Sequence, residues 1–266
     1  KSWLKELQEK DIPYLIVVGG GSENKVVEDV LYLNAADNYE GLPEKTLAMI
    51  SWVYSNTDHQ YMIKIDDDCS LNVDEYFTSL SYRKFHYYGR KLKRAPGNMD
   101  RLWHHEKSES SYAKFSFDKS PEPACYADGG TGYSISRYAA YKLGKMSATR
   151  EGCRLISSSF FEDKLVGDLL AMAQIALSDE DYFVHILRKV STDGSPVSIW
   201  GNHHYPSLNS PAKLVHTDSG ELFDSVLQYR SKSGLYPSKI FPSYTQASYG
   251  YNAIQLELLS DQKHIE

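Results

Sequence analysis

An apolar run, Tyr61-Met-Ile-Lys-Ile, ends abruptly in three adjacent carboxylates, Asp66-Asp67-Asp68. Like charges in a row repel, and hard oxygen donors suit Mg²⁺, Mn²⁺ or Ca²⁺, so a divalent cation is one way to compensate them. A solvated acidic turn feeding a helix N-terminus is the other, and the spacing leaves both open. An EF-hand loop starting at Asp66 fails, because its central glycine is missing and Phe77 stands where the terminal Glu belongs.

Further groups with chemical potential follow. Asp128-Gly-Gly-Thr-Gly-Tyr133-Ser-Ile-Ser136 has a glycine-rich centre that lets backbone approach a ligand closely, and Ser136 is placed to cap a helix. Glu162-Asp163 precedes Leu165, Val166, Leu169 and Leu170 at helical spacing, where an acidic pair by default complements the helix dipole. His203, His204 and His216 compete as nitrogen ligands, with ordinary packed or surface histidines as the alternative. Gly19-Gly20-Gly21 lacks both the GxGxxG and the Walker pattern and reads as a turn.

These groups need elements to carry them. Residues 1–10 form an amphipathic helix with Trp3, Leu4 and Leu7 on one face, and Tyr14–Val18 is a strand buried on both sides. Val30–Leu33 is a second strand. Pro43 then opens a helix whose apolar face is Leu47, Ile50, Val53 and Tyr54. The alternation of residues 61–65 makes a third strand, followed by a short helix near Val73–Leu80. That order is a layered α/β domain, in which ligands bind beyond the carboxyl ends of strands, where Asp66–Asp68 would sit. Residues 81–122 are a long excursion whose basic cluster is either a solvated face or an attractor for a phosphorylated or acidic substrate. A composition shift near Tyr229 divides residues 1–228 from a C-terminal extension or linker, 229–266.

Composition narrows the function classes. A net charge of −6 argues against a general nucleic-acid binder. Three cysteines without CxxC spacing give neither a disulfide framework nor a structural zinc site. No Asn-x-Ser/Thr acceptor occurs and no apolar run reaches membrane-spanning length. The expectation is a cytoplasmic chain without a membrane span, the alternative being a chain whose membrane anchor has been removed.

Four blocks in order carry a more specific signal: Leu33-Asn-Ala-Ala-Asp37-Asn-Tyr39-Glu-Gly-Leu42-Pro-Glu-Lys45-Thr46, Lys64-Ile-Asp66-Asp67-Asp68, Asp128-Gly-Gly-Thr-Gly-Tyr133-Ser-Ile-Ser136 and Glu162-Asp163-Lys-Leu-Val-Gly167. The series resembles the inverting β1,3-glycosyltransferases that include the β1,3-galactosyl- and β1,3-N-acetylglucosaminyltransferases and fringe. The resemblance implies a GT-A-type nucleotide-sugar-binding sandwich with a mixed central sheet. It also implies that the first strand is lacking or displaced, because Trp3 resembles a segment that normally follows that strand. The implied partners are a UDP-sugar donor and a glycan acceptor, and the implied cofactor is Mn²⁺, with Mg²⁺ the alternative. Asp66, Asp68 and His216 are then the metal ligands and Asp163 the general base, with Glu162 beside it. Lys45, Asp67, Asp128, Gly129, Gly130 and Gly132 fall on the donor side, and Trp103 and Tyr133 on the acceptor side. Lys164 departs from the family pattern, which has an apolar residue after the acidic pair. A non-catalytic carbohydrate- or nucleotide-binding module of the same fold is the competing reading.

Overall fold

The structure, a computed structural model, describes residues 2–92, 108–109, 124–187, 212–217 and 253–259. The chain opens with helix α1 (Ser2–Glu9), strand β1 (Tyr14–Val18) and the hairpin of β2 (Lys25–Val27) with β3 (Val30–Tyr32). Helix α2 (Leu42–Asn56) has Pro43 in its first turn, where a missing N–H costs nothing, and then β4 (Tyr61–Asp66) follows. A two-residue turn, Asp67-Asp68, joins β4 to β5 (Cys69–Leu71), and Asn72 caps α3 (Val73–Ser79).

Strands β6 (Tyr87–Gly89), β7 (Lys91–Leu92), β8 (Tyr126–Ala127) and β9 (Tyr133–Ser136) lead to three helices. These are α4 (Arg137–Ser147), α5 (Arg150–Ser158) and α6 (Glu162–Met172). Ser136 caps α4 as its sequence position predicts, its side chain accepting from the Ala139 amide. The remaining strands are β10 (Val184–Leu187), β11 (Leu214–Thr217) and β12 (Ala253–Leu259).

Seven strands form a mixed sheet in the order β2-β3-β1-β12-β4-β9-β6, beside a three-stranded sheet β10-β11-β5 and the β7-β8 pair. Strand β12 lies between β1 and β4 and is antiparallel to both. Thus the described part of the stretch beyond Tyr229 lies inside the large sheet.

Two apolar layers cover the sheet. Leu15, Val17, Met62 and Ile135 pack with Met49, Ile50, Leu165 and Leu169 of α2 and α6 on one face. Ile63 and Ile65 pack with Trp3 and Leu7 of α1 and with Tyr76, Tyr88 and Tyr182 on the other. Strand β4 is therefore buried on both sides, and alternation puts Lys64 on the same side as Met62, facing the α6 layer. A lysine in that position must find counter-charges inside the protein.

Candidate active site

Lys64 finds two. Its side chain is 2% exposed, and Nζ lies 2.7 Å from Asp66 Oδ1 and 2.6 Å from Glu162 Oε1 at the first residue of α6. Burial pulls the ammonium down in pKa, but Asp66 and Glu162 outweigh it and hold it above the usual lysine range. The β4–β9 register sets Tyr133 opposite Lys64, and the Tyr133 hydroxyl donates to Glu162 Oε2 at 3.2 Å. Burial pushes the Glu162 carboxyl up to about 7, against the pull of Lys64 and with Asp163 and Asp66 adding repulsion. Tyr133, expected on the acceptor side, is buried with its hydroxyl on Glu162.

The acidic turn is held from another direction. Strand β5 pairs with β11 so that Cys69 opposes His216, and this brings His216 Nε2 to 3.1 Å from Asp68 Oδ2, across 148 residues of chain. His216 Nδ1 is buried and has no hydrogen-bond partner among the described residues. Asp66 has one oxygen on the Lys64 ammonium, and Asp67 sits half-buried in the turn. Among the described residues no group of three or more His, Cys, Asp or Glu side chains is arranged to hold a metal ion. Asp68 and His216 form a two-donor set, one oxygen and one nitrogen. Such a set fits a cation whose other ligands come from water and phosphate oxygens, not a closed all-protein cage.

The glycine loop joins these two halves. Asp128 caps the 3₁₀ turn Gly129–Thr131 by accepting from the Gly130 amide, and its other oxygen is ion-paired with the Arg90 guanidinium. The Gly129 amide donates to Asp163 Oδ2 at 3.1 Å, and a Cβ on Gly129 would come within 2.5 Å of Glu162 Oε1. A Cβ on Gly130 would face His216 at 3.5 Å. Gly132 has φ +69° and lies so close to β4 that a Cβ would meet the Lys64 carbonyl at 2.9 Å, so only glycine fits. Behind the loop, the buried Tyr182 hydroxyl lies 2.9 Å from the carbonyls of Thr131 and Gly132.

The acids of the helix start differ. Glu162 is buried and engaged, whereas Asp163 is half-buried, accepting from the amides of Gly129 and Lys164. Lys164 is paid back inside its own helix, with Nζ 2.5 Å from Oδ2 of the fully buried Asp168. Lys45, expected on the donor side, is buried with Nζ 2.6 Å from Asp37 Oδ1. Trp103, His203 and His204 lie outside the described residues.

Sequence reading singled out Asp66, Asp68, His216, Glu162 and Asp163, and the structure gathers all five around the glycine loop. It missed Lys64 as a junction and Arg90 as the partner of Asp128. A signal for Lys64 was its place as a cation two residues before Asp66, hence on the same face of a strand with both faces buried.

The mixed α/β architecture, with its seven-stranded sheet and helices, is compatible with a glycosyltransferase fold. The chain belongs to the galactosyltransferase family: the family model of that description matches residues 9–181. Among curated proteins it is similar to UDP-GalNAc:beta-1,3-N-acetylgalactosaminyltransferase 2 of several vertebrates. The Danio rerio protein is 26% identical over 113 residues, 41% of this chain and 21% of the relative. The Xenopus laevis protein is 31% identical over 52 residues, 20% of this chain and 11% of the relative. The matched stretches thus cover only 11% and 21% of these relatives' own length. Among the described residues no helix is long and apolar enough to cross a membrane.

Proposed function

We propose that this chain is a metal-dependent inverting glycosyltransferase of the GT-A type, moving a hexose or N-acetylhexosamine from a UDP-sugar to a glycan hydroxyl in β1,3 linkage. The observation that carries the reading is the glycine loop, whose Gly129 amide holds Asp163 while Gly130 lies against His216. A site for the leaving group and a site for a base are thereby set on either side of one short backbone segment. The family match and the names of the relatives support the donor class and make UDP-GalNAc the first donor to try.

Asp68 and His216 would hold a Mn²⁺ or Mg²⁺ ion, whose chemistry here is Lewis-acid stabilisation of the charge that gathers on a departing diphosphate. Asp163 takes the proton of the acceptor hydroxyl as that oxygen bonds to the anomeric carbon and the bond to phosphate breaks on the opposite face. The Gly129 and Lys164 amides orient its carboxylate. Glu162 supports this arrangement from within, through Lys64 and Tyr133. The close backbone of residues 128–132 lines the donor side, and Asp37 fixes the Lys45 ammonium there.

Release of UDP from UDP-GalNAc, UDP-galactose and UDP-N-acetylglucosamine, with and without Mn²⁺ and with glycan acceptors, tests the proposal. Turnover restored by Mn²⁺ is expected. Metal-independent turnover, or none with any donor, contradicts it, and tight UDP binding without transfer would mark a binding module instead.

A further inference from the structure

Lys64 lies inside a strand, where it neither faces solvent nor reaches the open part of the site. Its ammonium joins a carboxylate at the end of β4 to the carboxylate that opens α6, with the Tyr133 ring 5.6 Å away. No other ion pair among the described residues links β4 to α6. The same two places carry the proposed halves of the chemistry: Asp66 is two residues before Asp68, and Glu162 is directly before Asp163. Two carboxylates that close to one cation would repel each other without it, and they would be free to separate.

We propose that Lys64 is a positioning residue, which fixes the distance between the acidic strand end and the start of α6 and so sets Asp163 against the donor. This rests on the transferase reading, but its structural half does not. The backbone agrees with it, since the glycine loop is closed on both ends by the same bridge. Gly132 packs on the Lys64 carbonyl and Gly129 on Glu162. Loosening the bridge would let α6 and the loop drift together, moving Asp163 while leaving His216 on β11 and Asp68, in the turn before β5, in place.

The test is Lys64→Met, with Glu162→Gln as a second variant that opens the bridge from the other end and leaves Lys64 its Asp66 partner. Calorimetry with UDP and Mn²⁺ counts the folded sites. Turnover per UDP-binding site should fall about a hundredfold, the cost of a misplacement near 1 Å, with the donor KM within about threefold. A purely structural lysine would lower the number of sites and leave turnover per site unchanged, which would overturn the proposal. Amide exchange in native buffer decides the matter independently of activity. Faster exchange confined to residues 129–132 and 162–166 is expected in both variants, against unchanged β1 and α2. Uniform acceleration, or none, contradicts it. If the unaltered chain turns over no donor, the transferase reading fails and the exchange pattern alone judges Lys64.

Discussion

Asp66-Asp67-Asp68 and Glu162-Asp163 are both acidic runs at the edge of a secondary-structure element, yet they are treated differently by the fold. The strand-end acids remain part-exposed, and Asp68 meets a histidine delivered by a distant strand. At the helix start, one acid is swallowed: Glu162 spends both oxygens on Lys64 and Tyr133, and only Asp163 is left at the half-buried rim. Binding a shared cation needs several accessible donors, whereas a proton acceptor needs a single oriented carboxylate backed by a rigid neighbour. On the proposed reading, these adjacent acids are divided into one that reacts and one that supports.

The comparison breaks most visibly at Asp163. Asp163→Asn should lower transfer by about 10²- to 10⁴-fold in steady-state assays. Glu162 yields the next largest effect, through pH. Its carboxyl titrates near 4.5 when unfolded and about 7 when folded, so between these values the folded state binds more protons. Its contribution to stability is thus present at low pH and declines as pH rises through about 7. Relative to Glu162→Gln, the unaltered chain should lose about 3 kcal/mol of unfolding free energy across that window, as read by urea titration.

Gly129→Ala forces a methyl into Glu162 Oε1 and should cost about 1–3 kcal/mol by the same titration. Tyr133→Phe removes one hydrogen bond to Glu162 and should cost about 0.5–1.5 kcal/mol, with transfer largely retained. A large loss of transfer in Tyr133→Phe would instead return that residue to the acceptor side.

Much of this frame was legible in the chain. Residues 14–18 form the strand that their continuous apolar run predicts, and 61–66 the strand that alternation predicts, ending at Asp66. Pro43 and Ser136 mark helix starts because their backbone and side-chain chemistry act locally. Helix α5 and strand β2 were not anticipated. The hydrophobic runs there are short, and β2 exposes all three residues, so its pairing owes little to a buried face.

Nor could spacing tell Glu162 from Asp163, because their difference lies in what stands opposite: Lys64, Tyr133 and Gly129 come from three other segments. Lys164 looked like a misplaced charge, yet its partner Asp168 is four residues on, an i,i+4 relation visible in the sequence itself. His216 was one of three competing histidines until the β5–β11 pairing set it beside Asp68.

The division of labour between the two acidic runs is tested most directly by UDP affinity in the presence of Mn²⁺, measured by calorimetry on Asp68→Asn and Asp163→Asn side by side. Asp68→Asn should weaken binding by about tenfold or more, while Asp163→Asn stays within about threefold of the unaltered chain. Equal losses in the two variants, or a larger one in Asp163→Asn, would contradict the assignment of binding to the strand end and reaction to the helix start.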